Sequence, residues 1–206
     1  MRAQLIALFA LAWPVIAAAD PTPPNQAQAV APPAPQALRA GHYKLDPKHA
    51  SLTATVRHLR VSNYVMRFDK LNAEFSYDPA HPQAAVLTAT VEPGSLDVGA
   101  SYSRQFADDF LGAAKFPTAS FTATAMKPDP DLRGGAMTGD LTLMGVTRPV
   151  TFQVRLVGVG HGVPFGVIAG LSATAEIERS EFGSKGFLNY VGDTVVLHFE
   201  GEFDRQ

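Results

Sequence analysis

The chain has 206 residues, is 46% hydrophobic and 17% charged, and carries a formal net charge of −2; that is room for one globular domain with appendages and a core that needs no staples. It contains no cysteine, which excludes disulfides, thiol nucleophiles and cysteine-ligated metals. Lysine and arginine are scattered singly, so no basic stripe tracks phosphates and nucleic acid is not expected as a partner.

In chain order, Arg2 and an apolar run over 3–16, broken by Gln4 and Pro14, lead to Ala17-Ala18-Ala19, a small-x-small pattern that a signal peptidase accepts. Residues 1–19 are therefore expected to be a signal peptide cleaved after Ala19. As an uncleaved anchor the run is short of the roughly 20 apolar residues of a spanning helix, and Pro14 interrupts it. No later run approaches that length, and no cysteine offers an acyl site. The expectation is a periplasmic protein with no transmembrane segment after cleavage. Residues 20–40 hold Pro21, Pro23, Pro24, Pro32, Pro33 and Pro35 among Ala, Gln and Asn without apolar periodicity, which reads as a solvated linker. The folded domain is expected over 41–206.

From Gly41 the periodicity becomes two. Leu52, Ala54 and Val56 alternate with Thr53, Thr55 and Arg57; Leu71, Ala73, Phe75 and Tyr77 alternate with Asn72, Glu74 and Ser76. Over 101–112, Tyr102, Phe106, Asp109 and Phe110 at helical spacing, ahead of Lys115-Phe116-Pro117, predict a short helix. It either packs an aromatic edge across one mouth of a barrel or fills the end of the core as a crossover. Alternation resumes at Val150–Leu156, Leu171–Ile177 and Val195–Phe203. Half-buried strands with one dry face give this pattern. Asp78-Pro79, Pro93-Gly94, Asp129-Pro130-Asp131 and Gly134-Gly135 supply the turns, and about eight such strands indicate an antiparallel barrel or sandwich.

Several segments together resemble a known family. Tyr43-Lys44-Leu45-Asp46-Pro47, His49, Val56-Arg57-His58-Leu59, Phe75-x-Tyr77-Asp78-Pro79, Asp109-Phe110-Leu111 and Lys115-Phe116-Pro117-x-Ala119-x-Phe121 occur in order. The most specific run is Gly139-Asp140-Leu141-Thr142-Leu143-Met144-Gly145-Val146-Thr147-Arg148-Pro149-Val150, followed by Arg179-Ser180-Glu181-Phe182-Gly183. In these residues the chain resembles the YceI-like family of lipocalin-like, polyisoprenoid-binding periplasmic proteins, across essentially all of 41–206. The resemblance implies an all-β, antiparallel up-and-down barrel of about eight strands with a short helix. It also implies an apolar cavity for a prenyl chain, such as a quinone tail or polyprenyl lipid, with no cofactor and no enzymatic activity. The chain departs from the family at Arg60 and Met66, where glycine is usual, at Ala54, where phenylalanine is frequent, and at Arg104, where histidine is common. These changes are expected to reshape the first hairpin, the cavity or its mouth.

The inward positions mix Phe75, Phe152, Phe199, Leu52 and Leu197 with Ala54, Ala73, Ala89, Ala123, Ala173 and Ala175. Alanines on a dry face leave volume that suits an apolar guest; read without the family, the residues fit a cavity and an aromatic-filled core equally. The candidate ligand-binding residues are Leu52, Ala54, Val56, His58, Phe75, Phe106, Phe110, Phe121, Phe152, Phe182, Leu197 and Phe199. Catalytic and metal readings find little support. His49 and His58 are an odd interval apart, so a regular strand turns them to opposite faces, and His58 is read as an interior or rim histidine. Arg133 spoils the calcium-loop likeness of Asp129-x-Asp131, and Gly183-Ser184-Lys185-Gly186 is read as a tight bend beside Phe182. The leading function is a carrier for an isoprenoid or similar long-chain lipid. A filled-core interaction module acting through its loops, and less favoured an enzyme acting on such a lipid, are the alternatives, and a homodimer stays open.

Overall fold

The structure is a computed structural model that describes residues 37–162 and 166–206. The expected signal peptide and all but the last four residues of the expected linker lie outside the described residues. Alternation at 41–58 becomes β1 (Gly41–His58), followed by β2 (Ser62–Phe68), β3 (Leu71–Tyr77), β4 (Val86–Val91) and β5 (Leu96–Asp97). After α1 (Ser103–Leu111) come β6 (Ala119–Pro128), β7 (Gly134–Leu143), β8 (Val146–His161), β9 (Val167–Glu178) and β10 (Val191–Arg205).

All pairings are antiparallel, and β10 pairs with β1 from Tyr43↔Arg205 to His58↔Val191, which closes the sheet into a barrel. The ten strands make eight staves. The first half of β1 pairs with β3 and its second half with β2, so β2 and β3 are one stave interrupted at Asp69-Lys70. Because β4 pairs with β3 and β5 with β2, these two make the next stave in the same way. The interruption leaves no orphan amide. Asp69 N–H donates to the Ser95 carbonyl at 3.2 Å and Lys70 N–H to Ser95 Oγ at 3.0 Å. Closure removes the exposed edges that an open sheet would present.

One end of the barrel is solid. Tyr43 stacks on Phe75 with centroids 4.7 Å apart, and Phe75 meets the edge of Phe203 at 5.0 Å. All three rings are buried, and Tyr43 donates its hydroxyl to the Arg39 carbonyl at 2.9 Å. Aromatic pairs of this kind add about 0.5–1.5 kcal/mol beyond area burial. At the other end α1 lies across the barrel. Gly112, left-handed at φ 57°, ends the helix with its N–H on the Ala107 and Asp108 carbonyls. The Asp129–Gly134 segment is a surface turn in which the Asp131 carboxylate accepts from Arg133 N–H at 2.9 Å and faces Arg155 at 3.8 Å.

Candidate functional site

Between the solid end and α1 the inward residues leave two chambers of about 130 Å3 each. In the first, Leu52, Ala54 and Val56 of β1, Met66 and Phe68 of β2, and Val195 and Leu197 of β10 form part of the wall. Phe106, Phe110 and Leu111 of α1 close it, with Phe106 and Phe110 stacked at 4.3 Å. The second is walled by Ala73, Ala89, Phe121, Phe152, Ala173 and Phe199, among others. Leu52, Val91, Ala119, Leu141 and Leu197 belong to both walls, so the chambers adjoin. A third space of about 60 Å3, beside Phe75 and Leu38, shares Leu87, Met137 and Val154 with the second and nothing with the first. The three spaces therefore lie in series. Along β10, the inward side chains pass from Val195 through Leu197 to Phe199 and Phe203 as one chamber gives way to the next.

The sequence-based candidates separate accordingly. Leu52, Ala54, Val56, Phe106, Phe110 and Leu197 line the first chamber, and Phe121, Phe152 and Phe199 the second, where Leu52 and Leu197 recur. Phe75 sits in the solid end and touches only the small third space. Phe182 is fully buried in the core cluster but lines neither chamber. His58, expected as an interior or rim histidine, is not interior: it shares the parity of Leu52 to Val56, yet β1 ends there, and it is exposed, its ring 6.1 Å from Tyr64. The choice between cavity and filled core also resolves by position, because the ring cluster fills one end and the alanines open the rest.

Two positions read from the sequence as departing from the resembled family meet in the structure. Ala54 and Met66 are direct cross-strand partners and both line the first chamber. Side chains opposed in this way share a face, so residues 54 and 66 together set the width of the first chamber.

Arg179 is the residue that sequence reasoning missed. Inward parity on β9 runs through Ala173, Ala175 and Ile177, and its next member is Arg179. Its guanidinium is buried at the wall of the first chamber and donates to the carbonyls of Gly192 and Ser184 at 2.8 Å, Gly186 at 2.8 Å and Val191 at 3.0 Å. Burial pulls its pKa down, opposed by the charge of Asp193. Asp193 accepts from the Ser180 hydroxyl at 2.6 Å and amide at 2.8 Å; the hydroxyl bond is the main cause that holds its carboxyl below the ordinary range. Arg179 thus pins segment 183–192 to the barrel, with its donors committed to backbone. The signal was a charged residue continuing an apolar alternation.

The chamber walls contain no His, Asp, Glu or Lys among the described residues. No group of three or more His, Asp or Glu there could hold a metal ion, and no described helix is long and apolar enough to cross a membrane. Such walls offer dispersion contact and dehydration to a guest. An apolar cavity of about 150 Å3 stays dry and accepts a benzene-sized molecule, and two in series suit a chain.

Comparison with known proteins agrees with this architecture. A UPF0312 protein of Vibrio cholerae serotype O1 is 35% identical over 175 residues, covering 81% of this chain and 90% of that one. The crystal structure of Burkholderia cenocepacia BcnA superposes with a TM-score of 0.67 at 22% identity, over 77% of this chain and 98% of that one. A domain from Saccharophagus degradans, described as polyisoprenoid-binding, matches with a TM-score of 0.56 at 12% identity, over 82% of this chain and all of its own. The family model of the YceI-like domain matches residues 43–203, and the chain belongs to the YceI-like family.

Proposed function

We propose that this barrel binds a long-chain apolar lipid, an isoprenoid such as a quinone or polyprenyl species, and carries it in the periplasm after export directed by residues 1–19. The observation that carries the reading is the pair of adjoining apolar chambers inside a closed barrel. Their walls carry no His, Asp, Glu or Lys among the described residues to activate a hydroxyl, and Arg179 and Ser184 are engaged with each other and with backbone, which favours holding over catalysis. The Saccharophagus degradans domain described as polyisoprenoid-binding shares the fold and supports the ligand class. Adding a prenyl alcohol or quinone to the purified protein tests the reading through its melting temperature. A ligand at 100 times its dissociation constant adds about 2.7 kcal/mol to the folded state. A melting temperature unmoved by every chain length tried would transfer the reading to an interaction module.

A further inference from the structure

The barrel end crossed by α1 exposes large apolar side chains on two neighbouring loops. The turn after β1 and segment 183–190 are tied by Leu59 N–H on the Tyr190 carbonyl at 2.7 Å. Val61 is 81% exposed, Phe187 65% and Tyr190 60%, with Leu59 and Leu188 nearly half exposed beside them. Three of these loop residues hold left-handed backbone, Leu59 at φ 50°, Arg60 at 62° and Phe187 at 53°. Glycine or asparagine adopts that region more easily than branched or bulky side chains do. Strain of this kind concentrates where a surface has work to do beyond folding. At Arg60 the turn keeps a glycine-like conformation at the larger residue's expense.

The charge on these loops has one sign. Arg57, Arg60 and Lys185 lie on 57–61 and 183–190 and neither stretch contains Asp or Glu, while α1 at the same end carries Arg104, Asp108 and Asp109, Glu181 precedes the second stretch, and the whole chain has a net charge of −2. The patch is also continuous with the site. Phe187 lies 5.9 Å from Phe110, which closes the first chamber together with Phe106.

We infer that this rim docks the barrel, with the α1 end facing down, on an anionic phospholipid bilayer. The apolar tips enter the interfacial layer while the arginines and lysine meet headgroups, the arrangement by which amphipathic surfaces hold to anionic membranes. A water-insoluble guest would then pass between bilayer and first chamber without crossing water. The purpose of docking rests on the lipid-binding reading of the chambers; the docking is measured apart from it. A partner protein could also cover an apolar patch, but two basic loops with apolar tips beside the mouth of an apolar tunnel fit the bilayer better, the acidic Asp108 and Asp109 lying on α1 rather than on the loop tips.

The test is cosedimentation of protein, purified from cells expressing the whole chain, with vesicles of equal phosphatidylglycerol and phosphatidylethanolamine, or of phosphatidylcholine alone. The wild type is expected to bind the anionic vesicles preferentially and to be released by salt. The double substitution Leu59→Asn and Phe187→Asn should lower binding by roughly tenfold while the melting temperature holds or rises, because the left-handed backbone is relieved. Arg60→Glu with Lys185→Glu should remove the salt-sensitive part. Both doubles should take up a short prenyl alcohol from dilute ethanol as the wild type does. Absence of wild-type vesicle binding, or binding that neither double reduces, overturns the docking. Loss of prenyl uptake by the wild type with vesicle binding intact overturns the carrier reading instead.

Discussion

Placing a ring at Ala54 perturbs the first chamber directly. Ala54 is buried between Met66 on β2 and Leu197 on β10, and all three line that chamber. The chamber holds about 130 Å3, close to the volume that accommodates one benzene ring, so Ala54→Phe fills most of it. A long guest then gives up three or four methylene groups at about 0.8 kcal/mol each. That is roughly 3 kcal/mol, or about a hundredfold in affinity. A chain short enough for the second chamber keeps its affinity, because Ala54 does not line that chamber. The fold should lose less than about 1 kcal/mol, since the ring enters space that is already there. Adding Met66→Gly should relieve residual crowding with a coupling of about 0.5 kcal/mol or more, as expected of residues in contact. The assay is affinity across a series of prenyl alcohol lengths, beside urea melts. An unchanged length preference together with a stability loss of roughly 1–3 kcal/mol, the signature of overpacking, would refute the chamber.

Arg179→Leu should destabilise the fold by about 3–5 kcal/mol in urea melts, because it strips the donor from four carbonyls at a buried site; a loss below about 1 kcal/mol would contradict the pinning role. Asp193, held below the ordinary carboxylate range chiefly by the Ser180 hydroxyl, contributes stability that is full above the unfolded pKa of about 4 and is lost as pH falls through the lower folded value. Asp193→Asn should therefore weaken the protein at neutral pH and converge on wild type in acid, and a pH-independent difference would oppose this. Terminal sequencing of the exported protein should begin at Asp20, and Met1 retained in a membrane pellet would reject cleavage.

The legible part of the fold was the part where one residue per position decides the face. Leu52-Ala54-Val56 and Leu171-Ala173-Ala175-Ile177 alternate because each stave has one dry side, and those positions became β1 and β9 walls. Phe106 and Phe110, four apart, gave the helix and its aromatic edge. β7 announces itself less, since two of its inward positions are Gly135 and Gly139. At Gly139 the ring of Phe121 covers the backbone so closely that a Cβ would lie 2.5 Å from Phe121 Cζ, so the dry face there is supplied by the neighbouring strand. Pairing likewise hid the site's details. Ala54 reads as an isolated change until Met66 is found opposite it on the same chamber wall, and Phe75 reads as a chamber wall until Tyr43 is found stacked on it. Arg179 eluded alternation because a charged residue at an inward position makes sense only once the loop carbonyls around it are known.

What the barrel contains when a cell has filled it tests lipid binding most directly. Protein expressed with residues 1–19 intact, purified without detergent and extracted into organic solvent, should release a prenyl or other long-chain apolar lipid detectable by mass spectrometry. Its amount should approach one molecule per barrel, and Ala54→Phe should shift the recovered species to shorter chains. Repeated extracts with no apolar lipid above the level of an unrelated exported protein, from wild type and variant alike, would contradict the lipid-binding barrel.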